Sequence, residues 1–298
     1  MARNPFDQAA RIRRVGELLD WATLELEKAR LHYGHGTAGA RDDAAALVFH
    51  ALGLRHDSAP ASYRRVVPAG GAMRAAELVR RRIVERVPSA YLTGVTWFAG
   101  HEIRVTPDVL VPRSPIAELC LRSFEPWVAA RRIRRLLDIG TGSGCIAIAA
   151  AHALPRARVD ATDVSERALA LAHGNVRRHR LGRRIRVLRS DVYGALRGRR
   201  YDIIVSNPPY VPAAGMRRLP SEYRSEPRLG LQAARGGLAI IERILAGARR
   251  HLEPHGILVV EVGDTERAVR RNWPALPFTW LEFEQGGGGV FLLNAGQL

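Results

Sequence analysis

LLDIGTGSGCIAIAAA, Leu136 to Ala151, decides the fold of this chain. It reads as an apolar strand, a glycine-rich loop and an alanine-rich helix. Gly140, Gly142 and Gly144 permit positive φ and let the backbone come close to a ligand. A loop at the carboxyl end of a strand lies where open α/β sheets bind ligands. Short apolar strands follow, with helical stretches between them: ARVDATD, RIRVLRSD, YDIIVSN and GILVVEVG. This alternation predicts a doubly wound, mostly parallel α/β sheet. FTWLEFEQGGGGVFLLN then places two strands around a glycine turn, an antiparallel hairpin that makes the sheet seven-stranded. No helix follows Gly286 to Gly289, so a flexible hairpin tip is expected there and not a phosphate loop.

Upstream the rhythm is helical. RIRRVGELLDWATLELEKARLHYG sets Val15, Leu18, Leu19, Ala22, Leu26 and Leu31 at near-helical spacing. ARDDAAALVFHALGL and AMRAAELVRRRIVERV continue it, with PAGG (Pro68 to Gly71) as a break. HEIRV alternates polar and apolar residues, so the segment around it suits a β-hairpin linker. The expected organisation is an N-terminal α-helical substrate-recognition domain over residues 1–95, a hairpin linker over 96–115 and a catalytic α/β domain over 116–298.

Asp163 ends the second strand of the sheet and can accept hydrogen bonds from both hydroxyls of a ribose. The glycines run G-x-G-x-G, whereas dinucleotide sites favour G-x-G-x-x-G with the pyrophosphate on a helix N-terminus. Asp138 lies just before the loop, where a carboxylate opposes a pyrophosphate and suits an ammonium group. These residues favour S-adenosylmethionine; a nucleotide cofactor and a purely structural turn stay open.

The strand YDIIV ends in SNPPYVP, Ser206 to Pro212. Proline has no N–H and holds the residue before it extended, so Asn207 and Pro208 are both constrained. The Asn207 side-chain carbonyl and the Pro208 backbone carbonyl can point outward together as two acceptors. That pair suits the two hydrogens of a planar –NH2 group, with Tyr210 offering a flat face. Orientation and electrostatic stabilisation would then activate a poor nitrogen nucleophile. A rigid strand exit without chemistry is the bland reading, and the neighbouring glycine loop argues against it.

The 298 residues are 47% hydrophobic and 25% charged, and no apolar run approaches the ~20 residues of a membrane span. MARNPFDQAARIRR lacks the apolar core of a secretory signal, so a cytoplasmic protein is expected. Cys120 and Cys145 form no CxxC, which argues against a disulfide framework or zinc site. Cys145 opens a helix, which could lower its pKa, but a small buried residue is the expectation. The HxxH of His32 and His35 is read as ordinary helix-end residues, and no metal is expected. Net charge is +17, carried almost wholly by arginine, with clusters at Arg131–Arg135 and Arg177–Arg186. Such a surface favours non-specific contact with RNA.

GTGSG followed by NPPY resembles the class I S-adenosylmethionine-dependent methyltransferases that modify amino nitrogens. That class spans N6-adenine enzymes and protein N5-glutamine enzymes. The helical region, the hairpin and PRSPIAEL (Pro112 to Leu119) resemble the protein-glutamine branch, which divides into release-factor and ribosomal-protein enzymes. Ser114 to Glu118 matches the ribosomal-protein form and not the PRPETE form of the release-factor group. AYLTGVTWFAG, LPSEYRSEP and FTWLEFEQGGGGVF match it too. The resemblance covers residues 85–298 well and the helical region loosely. It implies N5 methylation of a glutamine in the large-subunit ribosomal protein L-three, before or during ribosome assembly; release-factor glutamine and RNA adenine are the alternative acceptors.

It also implies S-adenosylmethionine as cofactor, with Asp138, Gly140, Thr141, Gly142 and Gly144 around its methionine end. By the same resemblance Asp163 holds the ribose and Asp191 lies near the adenine. Asn207 and Pro208 hold the glutamine amide, Asn207 also bordering the cofactor, with Pro209 and Tyr210 beside it, and Arg113 and Glu118 lie at the site mouth. The chain departs from the family at Gly230, Ala234 and Gly236 of GLQAARGGL, and at Ser225, where the family has histidine. These departures bear on loop geometry and substrate fit.

Overall fold

The computed structural model describes residues 5–55, 60–284 and 286–298. One unit comprises Met1–Thr96 with Pro220–Ser225, the other Trp97–Leu219 with Glu226–Leu298. The first holds helices α1 (Pro5–Ala9), α2 (Val15–Lys28), α3 (Ala40–Leu52), α4 (Gly71–Val84) and α5 (Ser89–Thr93). Helix α2 buries Val15, Leu18, Leu19, Ala22 and Leu26, the positions whose spacing predicts it. Gly53 ends α3 at φ 64°, a left-handed cap that glycine adopts without strain.

A polar cluster sits inside this apolar unit. Arg82 Nε donates to Asp43 Oδ2 at 2.7 Å, and the hydroxyls of Thr37 and Ser89 donate to Asp43 Oδ1, each at 2.7 Å. Glu222 accepts from the His32 backbone N–H at 3.0 Å and from Arg86 at 3.3 Å. Buried charges of this kind persist only when each is paired and hydrogen-bonded.

The boundary between the units falls inside β1 (Val95–Phe98), which forms a two-stranded ribbon with β2 (His101–Arg104). Both turn residues have positive φ, Ala99 at 46° and Gly100 at 77°, as a two-residue hairpin turn of type I′ requires. After α6 (Ile116–Leu121) the chain alternates: β3 (Arg135–Ile139), α7 (Cys145–Ala153), β4 (Arg158–Asp163), α8 (Glu166–Arg178), β5 (Ile185–Arg189) and β6 (Tyr201–Ser206). Short elements follow, namely β7 (Val211–Pro212), α9 (Ala213–Met216), α10 (Arg228–Leu231) and β8 (Gln232–Ala233). The last part holds α11 (Ala239–His251), β9 (Leu252–Glu261), α12 (Glu266–Asn272), β10 (Thr279–Trp280) and β11 (Val290–Asn294).

The seven-stranded sheet runs β10-β11-β9-β6-β3-β4-β5. Its five central and outer strands pair in parallel, and β11 and β10 add antiparallel. This is the doubly wound, mostly parallel architecture that the alternation predicts. Strand β6 is buried along its whole length, which explains why YDIIVS carries no polar alternation apart from the paired Asp202 and Ser206. Among the described residues, no helix is long and apolar enough to cross a membrane.

Candidate active site

Strand β6 lies beside β3, with Ile139 opposite Ser206 in parallel register. The Ser206 hydroxyl donates to the Ile139 carbonyl at 2.8 Å and ties the two strand ends together. The glycine loop and the proline corner therefore leave the sheet side by side. They face one cavity of about 610 Å³, large enough for a cofactor. Arg113, Gly140, Thr141, Gly142, Asp163, Asp191, Asn207, Pro208 and Pro209 line it. Four sequence-predicted residues do not: Asp138 lies buried beneath the loop, Gly144 ends it as the N-cap of α7, and Tyr210 and Glu118 face other partners.

The loop is held from below. The N–H groups of Gly140 and Thr141 both donate to the Thr162 carbonyl at 2.8 Å. Asp138 is fully buried; its Oδ2 accepts from Thr141 Oγ1 at 2.6 Å and from the Ala147 N–H at 3.1 Å. Burial raises its pKa to about 7. Asp138 Oδ1 and Ser143 Oγ, both buried, have no hydrogen-bond partner among the described residues. Gly140, Gly142 and Gly144 stand at φ 72°, 54° and 82°. A Cβ on Gly142 would point into open space, while one on Gly144 would press on Ala172 at 3.4 Å.

Asp163 receives the N–H groups of Gly142 and Ser165, both at 2.9 Å, one on each carboxylate oxygen. Each oxygen keeps a further lone pair for a ligand hydroxyl. Asp191 is exposed and forms a 2.8 Å ion pair with Arg243. Next to it Val192 sits at φ 51°, an uncommon conformation for a β-branched residue, on the cavity wall. Ser190 braces that turn: its hydroxyl donates to the Val192 carbonyl at 2.9 Å and accepts from the Ala195 N–H at 3.0 Å.

On the other side of the cavity the residues are held over long sequence distances. Arg113 forms a two-pronged ion pair with the buried Glu226, through Nη1 at 2.5 Å and Nη2 at 2.8 Å. The Tyr210 hydroxyl donates to Glu261 Oε1 at 2.9 Å, and the Ser114 hydroxyl donates to Glu261 Oε2. One buried carboxylate thus joins PRSP to NPPY. Burial raises the pKa of Glu261 and also that of Tyr210. A Cβ on Gly263 would lie 2.5 Å from the Tyr210 ring, so glycine is required there for the ring to seat. Glu118 accepts from the Glu284 N–H at 3.0 Å and pairs with Arg122, away from the cavity.

The departing segment is part of the wall. Gly230, Gln232, Ala233 and Ala234 line the cavity, and Gln232–Ala233 pairs in parallel with Val211–Pro212. Gly236 has φ 68°, while Ser225 belongs to the turn Ser221–Ser225 of the helical unit. The glycine tip is seated: a Cβ would meet Pro115 at 3.2 Å from Gly287 and the Gly263 carbonyl at 2.3 Å from Gly289. Cys145 opens α7 and is buried, which raises its thiol pKa to about 12, so the unreactive reading holds. His32 and His35 follow α2 in a loop and contact Tyr223; they are not helix-end residues.

Sequence reading missed Asn175. Its side-chain amide donates to the carbonyls of Ser143 (2.8 Å) and Arg104 (2.9 Å) and accepts from the Arg104 N–H (3.0 Å). It fastens β2 to the glycine loop. An asparagine within a helix's apolar face was the available signal.

A parallel sheet with this loop and this corner on one cavity defines a methyltransferase of the class I fold. The description "Methyltransferase small domain" matches residues 119–218, and "PrmC N-terminal domain" matches residues 17–94. A ribosomal protein uL3 glutamine methyltransferase of Xylella fastidiosa is 44% identical over 95% of this chain and 91% of its own. One from Francisella tularensis is 36% identical over the same shares. The chain belongs to the ribosomal protein uL3 glutamine methyltransferase family. The hMettl16 catalytic domain, solved with a MAT2A 3'UTR hairpin, shares the fold at TM-score 0.50 and 21% identity, covering 77% of this chain and 82% of that one.

The cofactor is S-adenosylmethionine, and the cavity suits it. A buried carboxylate oxygen without a partner lies beneath the loop, and Gly142 leaves open space above it. Asp163 stands on the wall with lone pairs to offer.

Proposed function

We propose that the chain methylates the side-chain amide nitrogen (N5) of a glutamine in ribosomal protein uL3. The observation that carries this is the adjacency of the Asn207–Pro208 corner and the glycine loop across the β3–β6 pair, in a chain 44% identical to an enzyme of that name.

When bound, S-adenosylmethionine supplies an electrophilic methyl group. Asp138 and the loop residues Gly140, Thr141, Gly142 and Gly144 would hold its methionine end, Asp163 its ribose, and the wall at Asp191 and Val192 its adenine. The Asn207 and Pro208 carbonyls would accept the two amide hydrogens, fix the nitrogen and stabilise the positive charge that grows there. No protein hydrogen bond occupies the Asn207 side-chain amide among the described residues. Pro209 stiffens the corner. Tyr210 would position it, since its hydroxyl is committed to Glu261. Arg113, held by Glu226, would shape the mouth, and Glu118 would anchor the loop at Glu284.

The helical unit would recognise the ribosomal protein, and the work would take place in the cytoplasm before or during ribosome assembly. A second cleft, of about 600 Å³, gathers Arg135, Arg158, Arg177, Arg183 and Arg186 with Asp160 as its acidic residue. Arg186 and Arg199 both engage Asp160. The remaining positive charge would meet RNA without base selection.

Labelled methyl transfer tests the acceptor, with uL3, a peptide release factor and protein-free RNA offered together. Label in uL3 is expected; label chiefly in the release factor or RNA would overturn the assignment.

A further inference from the structure

Away from the cavity, three imidazoles converge. His101 opens β2, His152 lies in the last turn of α7, and His179 caps α8. The His101 and His152 rings stack with centroids 4.3 Å apart at 21°. The His179 ring stands edge-on to both, at 5.9 Å and 5.5 Å. One ring nitrogen from each lies within 4.8 Å of the other two. We propose that His101, His152 and His179 bind a divalent transition-metal ion of the zinc class, with water completing the coordination.

Three imidazole nitrogens are an established donor set for such ions, with metal–nitrogen distances of about 2.0–2.1 Å. In a tetrahedral site the nitrogens lie roughly 3.4 Å apart, so small side-chain rotations close the site, and the exposed His152 is free to make them. His179 Nε2 lies 2.8 Å from the Glu102 carbonyl oxygen and must donate to it. That bond fixes the tautomer and leaves the Nδ1 lone pair for the ion, the usual second hydrogen bond of a ligating histidine.

The nearby charges leave the rings available. Arg184 donates to the carbonyls of Ala151 and Leu154. Arg178 pairs with Glu102 at 2.9 Å. The ion would join the ribbon strand β2 to the far ends of two helices whose first turns border the cavity. His152 lies about 12 Å along α7 from the glycine loop, at ~1.5 Å per residue. The ion's role is therefore a staple, separate from methyl transfer.

Cobalt(II) titration of the full chain, carrying no histidine tag, tests this by absorption, with zinc(II) calorimetry beside it. One ion per chain is expected, bound at least about tenfold more weakly by His152→Ala and equally well by His32→Ala/His35→Ala. Zinc should raise the melting temperature of the wild type and not of His152→Ala, while the methyl-transfer rate stays unchanged. Equal binding by wild type and His152→Ala, or loss of binding in His32→Ala/His35→Ala instead, would overturn the site.

Discussion

The two halves of the cavity are built differently. On the cofactor side the supports come from the loop's own strand and helix and from the adjacent β4–α8 unit: Asp138 holds Thr141 and Ala147, Asp163 holds Gly142 and Ser165, and Asn175 holds Ser143. On the acceptor side, Arg113 reaches Glu226, and Ser114 and Tyr210 meet on Glu261. The first half is built from two consecutive strand–helix units, β3–α7 and β4–α8. The second exists only when four distant segments have folded onto one another. Binding the cofactor and holding the acceptor are thus separable by mutation.

The sharpest break between the halves is Asn207→Ala. Loss of one of two acceptors at the reacting nitrogen should lower kcat by about 10²–10³-fold, while calorimetry shows cofactor binding intact. Loss of both together would mean that Asn207 belongs to the cofactor half. Next comes Glu261→Ala, which strands the Ser114 and Tyr210 hydroxyls. A stability loss of about 1–3 kcal/mol is expected, together with a roughly tenfold fall in transfer. Combining it with Tyr210→Phe should add less than the sum of the two, because both remove one bond. Full additivity would dissolve the proposed link between PRSP and NPPY.

A pH series probes the cofactor half. The folded value of Asp138, about 7, lies above the ordinary 3.8, so the fold favours the protonated acid. Its stabilising contribution is complete below the ordinary value and is lost as pH rises through about 7. Burial raises Asp163 and Glu261 in the same direction. The melting temperature of the cofactor-free chain should fall across that window, and Asp138→Asn should flatten the fall; an unchanged slope would place the titrating group elsewhere. The smallest effect concerns Cys145. Its thiol should react with a disulfide reagent at pH 8 no faster than the unfolding rate allows, and prompt labelling of the native protein would contradict its burial.

The same contrast governs what could be read from the sequence. The order of strand, loop and helix is local, and hydrophobic periodicity carries it, so the sheet and the glycine loop were legible in LLDIGTGSGCIAIAAA. The NPPY corner was legible because proline restricts its own neighbours. The partners of Arg113, Ser114 and Tyr210 were not, since any of several glutamates could have served and only the folded chain selects Glu226 and Glu261. Asp191 met Arg243 for the same reason. Strain at Val192 left no mark, because valine is ordinary in the strand that precedes it. The HxxH pair drew notice by its spacing, whereas His101, His152 and His179, far apart in the chain, meet only in space.

Intact-mass measurement of uL3 after incubation with the enzyme and S-adenosylmethionine, followed by peptide sequencing, tests the central claim. The account predicts the mass of one methyl group gained, localised to a glutamine side chain, and no gain with Asn207→Ala. An unchanged uL3 mass, or a methyl group on any other residue type, would contradict it.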